Sequence, residues 1–288
     1  MTKRTCYLCG SNRLQPVEGK VRDKPELGIL KCHGCGLVFL ECFDHVHAEY
    51  YAADYTEENH PGKDWRHLLN EKRADDERRV GQILPFIGNR RYLDVGCEVG
   101  GVLTRARPHC TTAVGVEPQS RWRDELAAQG IVVKPALSAV EDAGFDVVTL
   151  FHVLEHIADP RPFLAEVRAK VAPGGMLFIE VPNADDALLQ LYHCKPFSEF
   201  TYWSPHLFLY NAHTLALLLK QAGFAADVTI QQFQRYPLSN HLMWLAMGQP
   251  GGHQKWSFLD APVLAAAYAA QLGTLGMCDT LIAIVRLD

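Results

Sequence analysis

From residue 90 onward, short apolar runs rich in β-branched residues alternate with stretches whose apolar positions recur at helical intervals. The runs "YLDV", "TAVGVE", "IVV", "FDVVTLF" and "MLFIEV" read as strands, and "RWRDELAAQ", "RPFLAEVRAKV" and "AHTLALLLKQAGF" as the helices between them. Strands separated by helices pair in parallel, and strands apolar on both sides belong to a sheet covered on both faces. Ligands of such sheets sit beyond the carboxyl ends of the strands. The positions that matter are therefore Asp94 to Gly101, Glu117, and Phe151 to His156.

Upstream, residues 64–88 ("DWRHLLNEKRADDERRVGQILPFIG") place Trp65, Leu68, Leu69, Val80, Ile83 and Leu84 at helical spacing. They predict one amphipathic helix stopping near Pro85 and Gly88, with its run of acids and bases as a solvated face. Residues 44–62 hold three tyrosines among acids and end in Pro61-Gly62, a breaker; the tyrosines either cover the mouth of a site or pack on that helix. Residues 237–275, apolar with Trp244, Trp256 and Tyr268, form an insertion before the last apolar run, "CDTLIAIVRLD", and suit an acceptor lid or a dimer face.

The amino-terminal pattern is different. Cys6 and Cys9 form C-x-x-C, as do Cys32 and Cys35, with 22 residues between the pairs and a glycine, Gly10 or Gly36, after each. Two such pairs supply four thiolates to one tetrahedral Zn²⁺, and glycine allows each turn the positive φ that aims backbone N–H groups at sulfur. Four filled positions leave no place for a reacting water, so the expected zinc is structural, in a ribbon of residues 1–43 too small for a core of its own. Its loss is expected to unfold residues 1–43 and spare the sheet. The other five cysteines (Cys42, Cys97, Cys110, Cys194, Cys278) lack partner spacing and read as small buried hydrophobes.

With 288 residues, 48% hydrophobic and 21% charged, the chain has room for one large domain and an appendage. The organisation expected is the ribbon at 1–43, a linker and helix at 44–88, and a domain at 89–288 whose segments 184–210 and 237–275 shape an acceptor pocket or an interface. A net charge of −5 and a pI near 6.2 argue against a nucleic-acid partner. No signal-peptide pattern opens the chain, and about 18 uninterrupted apolar residues occur nowhere, so a cytoplasmic protein without a membrane partner is expected.

The loop "YLDVGCEVGG", residues 92–101, carries the chemistry. Three glycines, Gly96, Gly100 and Gly101, follow Asp94 where a strand turns into a helix, and an acid, Glu117, ends the next strand 23 residues later, placed to accept both hydroxyls of a ribose. A dinucleotide loop needs glycine where Glu98 stands, and a carboxylate there would face phosphate. S-adenosylmethionine has no phosphate and carries a sulfonium and an ammonium, so Glu98 is tolerable beside it. Its side chain is expected to turn outward or meet that ammonium, and φ there need not be positive if Gly96 and Gly100 carry the turn.

Residues 145–183, "FDVVTLFHVLEHIADPRPFLAEVRAKVAPGGMLFIEVPN", closely resemble class I S-adenosylmethionine-dependent methyltransferases, and the likeness extends over roughly residues 89–230. The resemblance implies an α/β, Rossmann-like sheet of seven strands, the last antiparallel and formed by "CDTLIAIVRLD". It makes the Asp94–Gly100 loop, with Gly96, Cys97, Glu98 and Gly100, the binder of the methionine moiety, and Glu117 the ribose ligand. Pro118 and Gln119 border the adenine, Phe151 and His152 face the cofactor from the fourth strand, and no residue of "KPALSAVEDAG" stands out as the adenine contact.

His152, Glu155 and His156 spell H-x-x-E-H. By pattern this is a zinc-hydrolase motif, but it straddles a strand end rather than a helix. Some methyltransferases of ubiquinone synthesis and of small-RNA ends are similar here, with E-x-x-E-H around a divalent ion. His152 replaces the first acid, and the reading taken is that Glu155 and His156 brace the loop. "YWSPHLFLYN" resembles the "Y-H-E-H-x-x-Y-F" stretch of deoxysugar C-methyltransferases, which also begin with paired C-x-x-C; Tyr202 and His206 match its tyrosine and second histidine, and Pro205 replaces the glutamate. His206 is accordingly the expected general base, His152 the second candidate and Tyr202 an acceptor contact. The expected function is methyl transfer to a small molecule, a sugar or secondary metabolite ahead of a phenol, by a chain that could pair as a homodimer. The competing class is a retired methyltransferase fold used with its ribbon as an adaptor.

Overall fold

A computed structural model describes residues 5–46, 50–51, 64–224 and 227–288. Most of the tyrosine-rich stretch, Tyr55 included, lies outside them.

The ribbon opens the chain with β1 (Leu14–Pro16), β2 (Ile29–Cys32) and β3 (Val38–Leu40). Helices α1 (Trp65–Glu71) and α2 (Arg73–Ile87) follow, so the single expected helix is broken at Lys72; Pro85 lies inside α2, which ends before Gly88. The alternating core is β4 (Arg91–Val95), α3 (Gly101–Ala106), β5 (Thr112–Val116), α4 (Ser120–Ala128), β6 (Val132–Lys134), β7 (Phe145–Phe151), α5 (Pro160–Lys170) and β8 (Val171–Pro182). An insertion then forms α6 (Ala187–Gln190), α7 (Lys195–Thr201) and β9 (Phe208–Leu209) before α8 (Ala212–Gln221) and β10 (Asp227–Phe233). A second insertion forms α9 (Leu238–Met247), α10 (Gly252–Lys255) and α11 (Pro262–Leu275), and β11 (Thr280–Arg286) closes the chain.

Seven strands make one sheet in the order β10-β11-β8-β7-β4-β5-β6. The five from β6 to β8 are parallel, and β11 runs antiparallel between β8 and β10, as expected for the carboxyl-terminal run. Alternate residues feed two cores. Leu93, Val148, Leu150, Leu177 and Ile179 pack on one face with Leu164 and Val167 of α5 and Leu215 and Leu218 of α8. Tyr92, Val147, Phe151 and Phe178 pack on the other with Ile83 and Ile87 of α2, Leu103 of α3 and Leu126 of α4. The period of two explains why the strands read as unbroken apolar runs.

The ribbon is not a free appendage. Strand β3 pairs antiparallel with β9, Val38 with Leu209 and Phe39 with Phe208, so β1-β2-β3-β9 is one sheet drawn from distant parts of the chain. The ribbon's Leu8, Ile29, Phe39 and Phe43 share a core with the face of the large sheet carrying α5 and α8. Polar ties reinforce it: Ser204 Oγ donates to Asp23 at 2.6 Å, and Gln221 Nε2 to the Leu8 carbonyl at 2.8 Å. Among the described residues no helix is long and apolar enough to cross a membrane.

Candidate active site

Strand order reverses at β4, whose neighbours are β5 on one side and β7 on the other, and such switch points open a crevice at the carboxyl ends. A cavity of about 1030 Å³ lies there. It runs from Ala136–Ser138 past β6, across the ends of β5, β4, β7 and β8, to Asp279 and Thr280 at the start of β11. A drug-sized ligand occupies a pocket of about 300–1,000 Å³, so there is room for two small molecules side by side.

At one end the loop after β4 turns over the strand ends. Gly96 has φ 76°, and a Cβ there would come within 2.4 Å of Val153 Cγ2, so glycine is required twice over. The next left-handed residue corrects an expectation: Glu98 has φ 46°. The Gly96 and Gly100 turns do not suffice, because the Glu98 N–H must point at Glu117 Oε2, 3.0 Å away. The Glu98 carboxylate meets Lys72, at the break between α1 and α2. Glu117 also accepts from the Gln119 N–H at 2.8 Å and so ties the ends of β4 and β5 together. Asp94 takes the Thr149 hydroxyl at 2.7 Å, itself linked to Tyr92. Burial raises both Asp94 and Glu117 to about 7, although the Thr149 hydroxyl and backbone N–H groups respectively work against it. Both carboxyl groups line the cavity. Cys97, Pro118, Gln119 and Phe151 line the same space; Gly100 stands behind it against Leu126.

Helix α2 forms a wall that the sequence reading missed. Its charges were expected to face water, yet Asp76 and Arg79 are buried, and Asp75, Asp76 and Arg79 line the cavity. The cause is Glu180, a carboxylate 0% exposed near the carboxyl end of β8. A charge buried in a covered sheet must be paired. Arg78 Nη1 donates to its Oε2 at 2.8 Å and Arg79 Nη2 to its Oε1 at 2.6 Å. Burial alone would raise Glu180, but His152 and these guanidinium groups hold it well below the usual carboxylate range. The acid inside "MLFIEV" was the available signal that "RADDERR" faces inward.

His152 follows β7 with φ 57°. Its Nδ1 is 3.0 Å from Glu155 Oε1, and its Nε2 is 3.3 Å from Glu180 Oε1 and 3.2 Å from Arg235 Nη1. Both ring nitrogens are therefore engaged. Glu155 would be pushed up by burial, but the hydrogen bond from His152 brings it to about 2. Its Oε2 is buried without a partner, as is Nδ1 of His206. Burial and the neighbouring His156 depress His206 to about 3, and its ring lies 5.0 Å from that of His156. Glu155, His156 and His206 thus offer ligand atoms within 4.8 Å of one another. The converging trio includes His206 and leaves out His152, and one carboxylate with two neutral imidazoles suits a borderline cation better than Mg²⁺.

Tyr202 does not join these residues. It is buried behind the cavity, its ring edge 3.2 Å from the place a Cβ on Gly19 would take, and only its neighbours Thr201 and Trp203 line the space. The half of the cavity away from the glycine loop is walled by Leu188, Phe197, Phe200, Trp203 and Tyr236, with Asp186, Asn240, His241 and Asp279 among them. Arg22 of the ribbon reaches it, its guanidinium carbon 4.7 Å and 4.5 Å from the Phe200 and Trp203 ring centroids.

The ribbon's cysteines meet as expected. Cys6, Cys9, Cys32 and Cys35 converge, with Sγ atoms 3.6 Å (Cys6–Cys35) and 3.5 Å (Cys9–Cys32) apart. Zn–S bonds of about 2.3 Å in a tetrahedron require edges of roughly 3.8 Å, so the donor set fits zinc. Gly10 and Gly36 have φ 70° and 88°; their N–H groups bond the Cys6 and Cys32 carbonyls, and the Gly34 N–H points to Cys32 Sγ.

A family model described as a methyltransferase domain matches residues 63–227, more than half of the chain. The chain belongs to the methyltransferase-domain family. Its match begins at α1 and so takes in the helix wall as well as the sheet. Within the family it is similar to the mitochondrial ubiquinone biosynthesis O-methyltransferase of Schizosaccharomyces pombe, with 31% identity over 125 residues covering 39% of this chain and 45% of that protein. It is also similar to the ubiquinone biosynthesis O-methyltransferase of Actinobacillus pleuropneumoniae, with 30% identity over 132 residues, 41% of this chain and 55% of the other. The chain spans about half the length of these relatives. Among solved structures, a SAM-dependent methyltransferase from Archaeoglobus fulgidus superimposes with a TM-score of 0.52 at 22% identity, over 77% of this chain and 100% of that one. This family member therefore has the seven-stranded Rossmann-like methyltransferase fold.

Proposed function

We propose that the chain transfers a methyl group from S-adenosylmethionine to a hydroxyl of a small acceptor. The observation that carries this reading is the two-part cavity. One end has a glycine loop joined to Glu117, which suits the methionine moiety and ribose; the other has aromatic walls beside His206. Methyl transfer is an in-line displacement at an activated sulfonium, so positioning supplies much of the rate. The residues' tasks follow: Asp94 and Glu117 hold the cofactor, Phe200 and Trp203 hold the flat part of the acceptor, and Nδ1 of His206, unspent in hydrogen bonding, accepts from the hydroxyl. The aromatic walls and the relatives named for O-methylation favour a phenol over the sugar that the "YWSPHLFLYN" resemblance suggests, and Tyr202 lies too far back to serve as the acceptor contact.

Two experiments test this. Calorimetry with S-adenosylmethionine separates an enzyme from an adaptor, and no heat at millimolar cofactor would favour the adaptor. Release of S-adenosylhomocysteine with catechols and with nucleotide-linked sugars then ranks the acceptors. With a turning-over acceptor in hand, His206→Asn is expected to lower kcat by about 10² to 10⁴ with unchanged cofactor affinity. Near wild-type turnover would remove His206 from the chemistry.

A further inference from the structure

Asp76 carries a burial cost that its neighbours offset only in part. The residue is 4% exposed, and its Oδ2 is closed to solvent with no hydrogen-bond donor. Cations stand nearby but stop short: Arg79 Nη1 is 3.9 Å from Oδ1 and Arg105 Nη1 is 3.9 Å from Oδ2. Each has a better partner, Arg79 in Glu180 at 2.6 Å and Arg105 in the Gly101 carbonyl at 2.8 Å. Lys72, the remaining cation of the group, is paired with Glu98. A buried carboxylate is stable only when paired and hydrogen-bonded, so this one is built for a cation that arrives from outside.

The backbone is shaped for it. Gly101 begins α3, and a Cβ there would fall 1.9 Å from Asp76 Oδ2. Any side chain at 101 would evict the carboxylate. Asp76, Gly96, Gly101 and Asp94 all line the cavity at the end occupied by the glycine loop. The proton affinity agrees: burial raises Asp76 to about 6, with Glu98 adding to the rise and Arg79, Arg105 and Lys72 opposing it, and Asp76 in turn pushes Asp94 up. Such an acid is ready to ionise fully when positive charge is brought in.

We propose that Asp76 receives the α-ammonium of the cofactor's methionine moiety, so that a helix outside the alternating core supplies one of the cofactor's ligands. The inference rests on the proposed occupancy by S-adenosylmethionine. An ammonium is a compact cation with three donors, and Oδ2 is an acceptor with none. Charge-assisted hydrogen bonds of this kind are about twice as strong as neutral ones.

The experiment uses three probes with the full chain: S-adenosylmethionine, S-adenosylhomocysteine, and 5′-methylthioadenosine, which lacks the amino-acid end. Asp76→Asn keeps the shape and removes the charge. It is expected to weaken the first two about ten- to a hundredfold and to leave 5′-methylthioadenosine within about twofold. Gly101→Ala, which keeps the carboxylate but displaces it, should reproduce the selective loss. An equal loss for all three probes in both variants would make Asp76 a structural residue, and undiminished S-adenosylhomocysteine binding in Asp76→Asn would overturn the assignment outright. If the wild-type chain bound none of the three, the cofactor reading itself would fall, and this assignment with it.

Discussion

At the scale of single residues, Glu98 shows how a chain can keep an unfavourable backbone for a contact. Its left-handed φ costs about 1 kcal/mol or somewhat more for a residue with a Cβ. It is retained because that conformation sends the Glu98 N–H to Glu117 and the carboxylate to Lys72. Glu98→Gly would relieve the backbone but forfeit a half-exposed ion pair worth at most about 1 kcal/mol and add about 0.5–1 kcal/mol of unfolded-chain entropy. These terms nearly cancel. Thermal unfolding should therefore shift by no more than a few degrees, and cofactor affinity measured by calorimetry should change less than tenfold; a tightening beyond tenfold would show that the glutamate obstructs the site. The loop's motif was legible in the sequence, since glycine spacing reports on backbone shape. The sign of φ at Glu98 was not, because it follows from a partner on another strand.

At the scale of elements, strands and crossover helices were readable from periodicity, and the antiparallel last strand from the family resemblance. Two placements were not. Helix α2 turns its charges inward because Glu180 lies beneath it, and β3 adds to β9, whose two residues, Phe208 and Leu209, make too short a strand to be read from the sequence. The second placement changes what zinc removal should do. With the ribbon isolated, chelation would disturb residues 1–43 alone. With β3 hydrogen-bonded to β9, and the Leu207 N–H donating to the Glu155 carbonyl at 2.9 Å, loss of the metal should also loosen residues 202–210 and the His206 they carry. Hydrogen exchange before and after chelation, alongside elemental analysis of a Cys6→Ser, Cys9→Ser variant, measures this. Unchanged zinc in the variant would sink the ligand assignment, and protection lost only before residue 44 would show the ribbon to be energetically separate.

For the whole molecule, the buried acids and bases set a dependence of stability on pH. Burial raises Asp76 to about 6, Asp94 and Glu117 to about 7 and, with help from Asp279, Asp186 to about 8. An acid raised on folding contributes stability that is full below its unfolded pKa, about 4, and is lost as pH rises through the folded value. Burial pushes the other way on His156, on His206, to about 3, and on His241, to about 4, so these take up protons on unfolding and favour the unfolded state below about pH 6.5. The two sets oppose each other up to that point, and above it only the acids act. The melting temperature of the cofactor-free chain should accordingly fall between pH 6.5 and 8.5, by about 2–4 °C for each kcal/mol lost. Bound S-adenosylmethionine, a cation beside Asp94 and Asp76, should flatten the decline. A melting temperature that rises steadily across this range would contradict the burial of these carboxyl groups.

The β3–β9 pairing also has a consequence for how the chain is made. Val38 and its partner Leu209 are separated by 171 positions. A ribosome adding about 5–20 residues each second leaves the outer edge of β3 waiting on the order of ten to thirty seconds for its own β9 to emerge. During that interval Phe39 and Leu40 stand on an unpaired strand edge, the kind of edge that recruits a strand from another chain. On a crowded polysome, the β9 of a neighbouring nascent copy would compete for the same place, and an exchanged strand would give two chains each completing the other's small sheet.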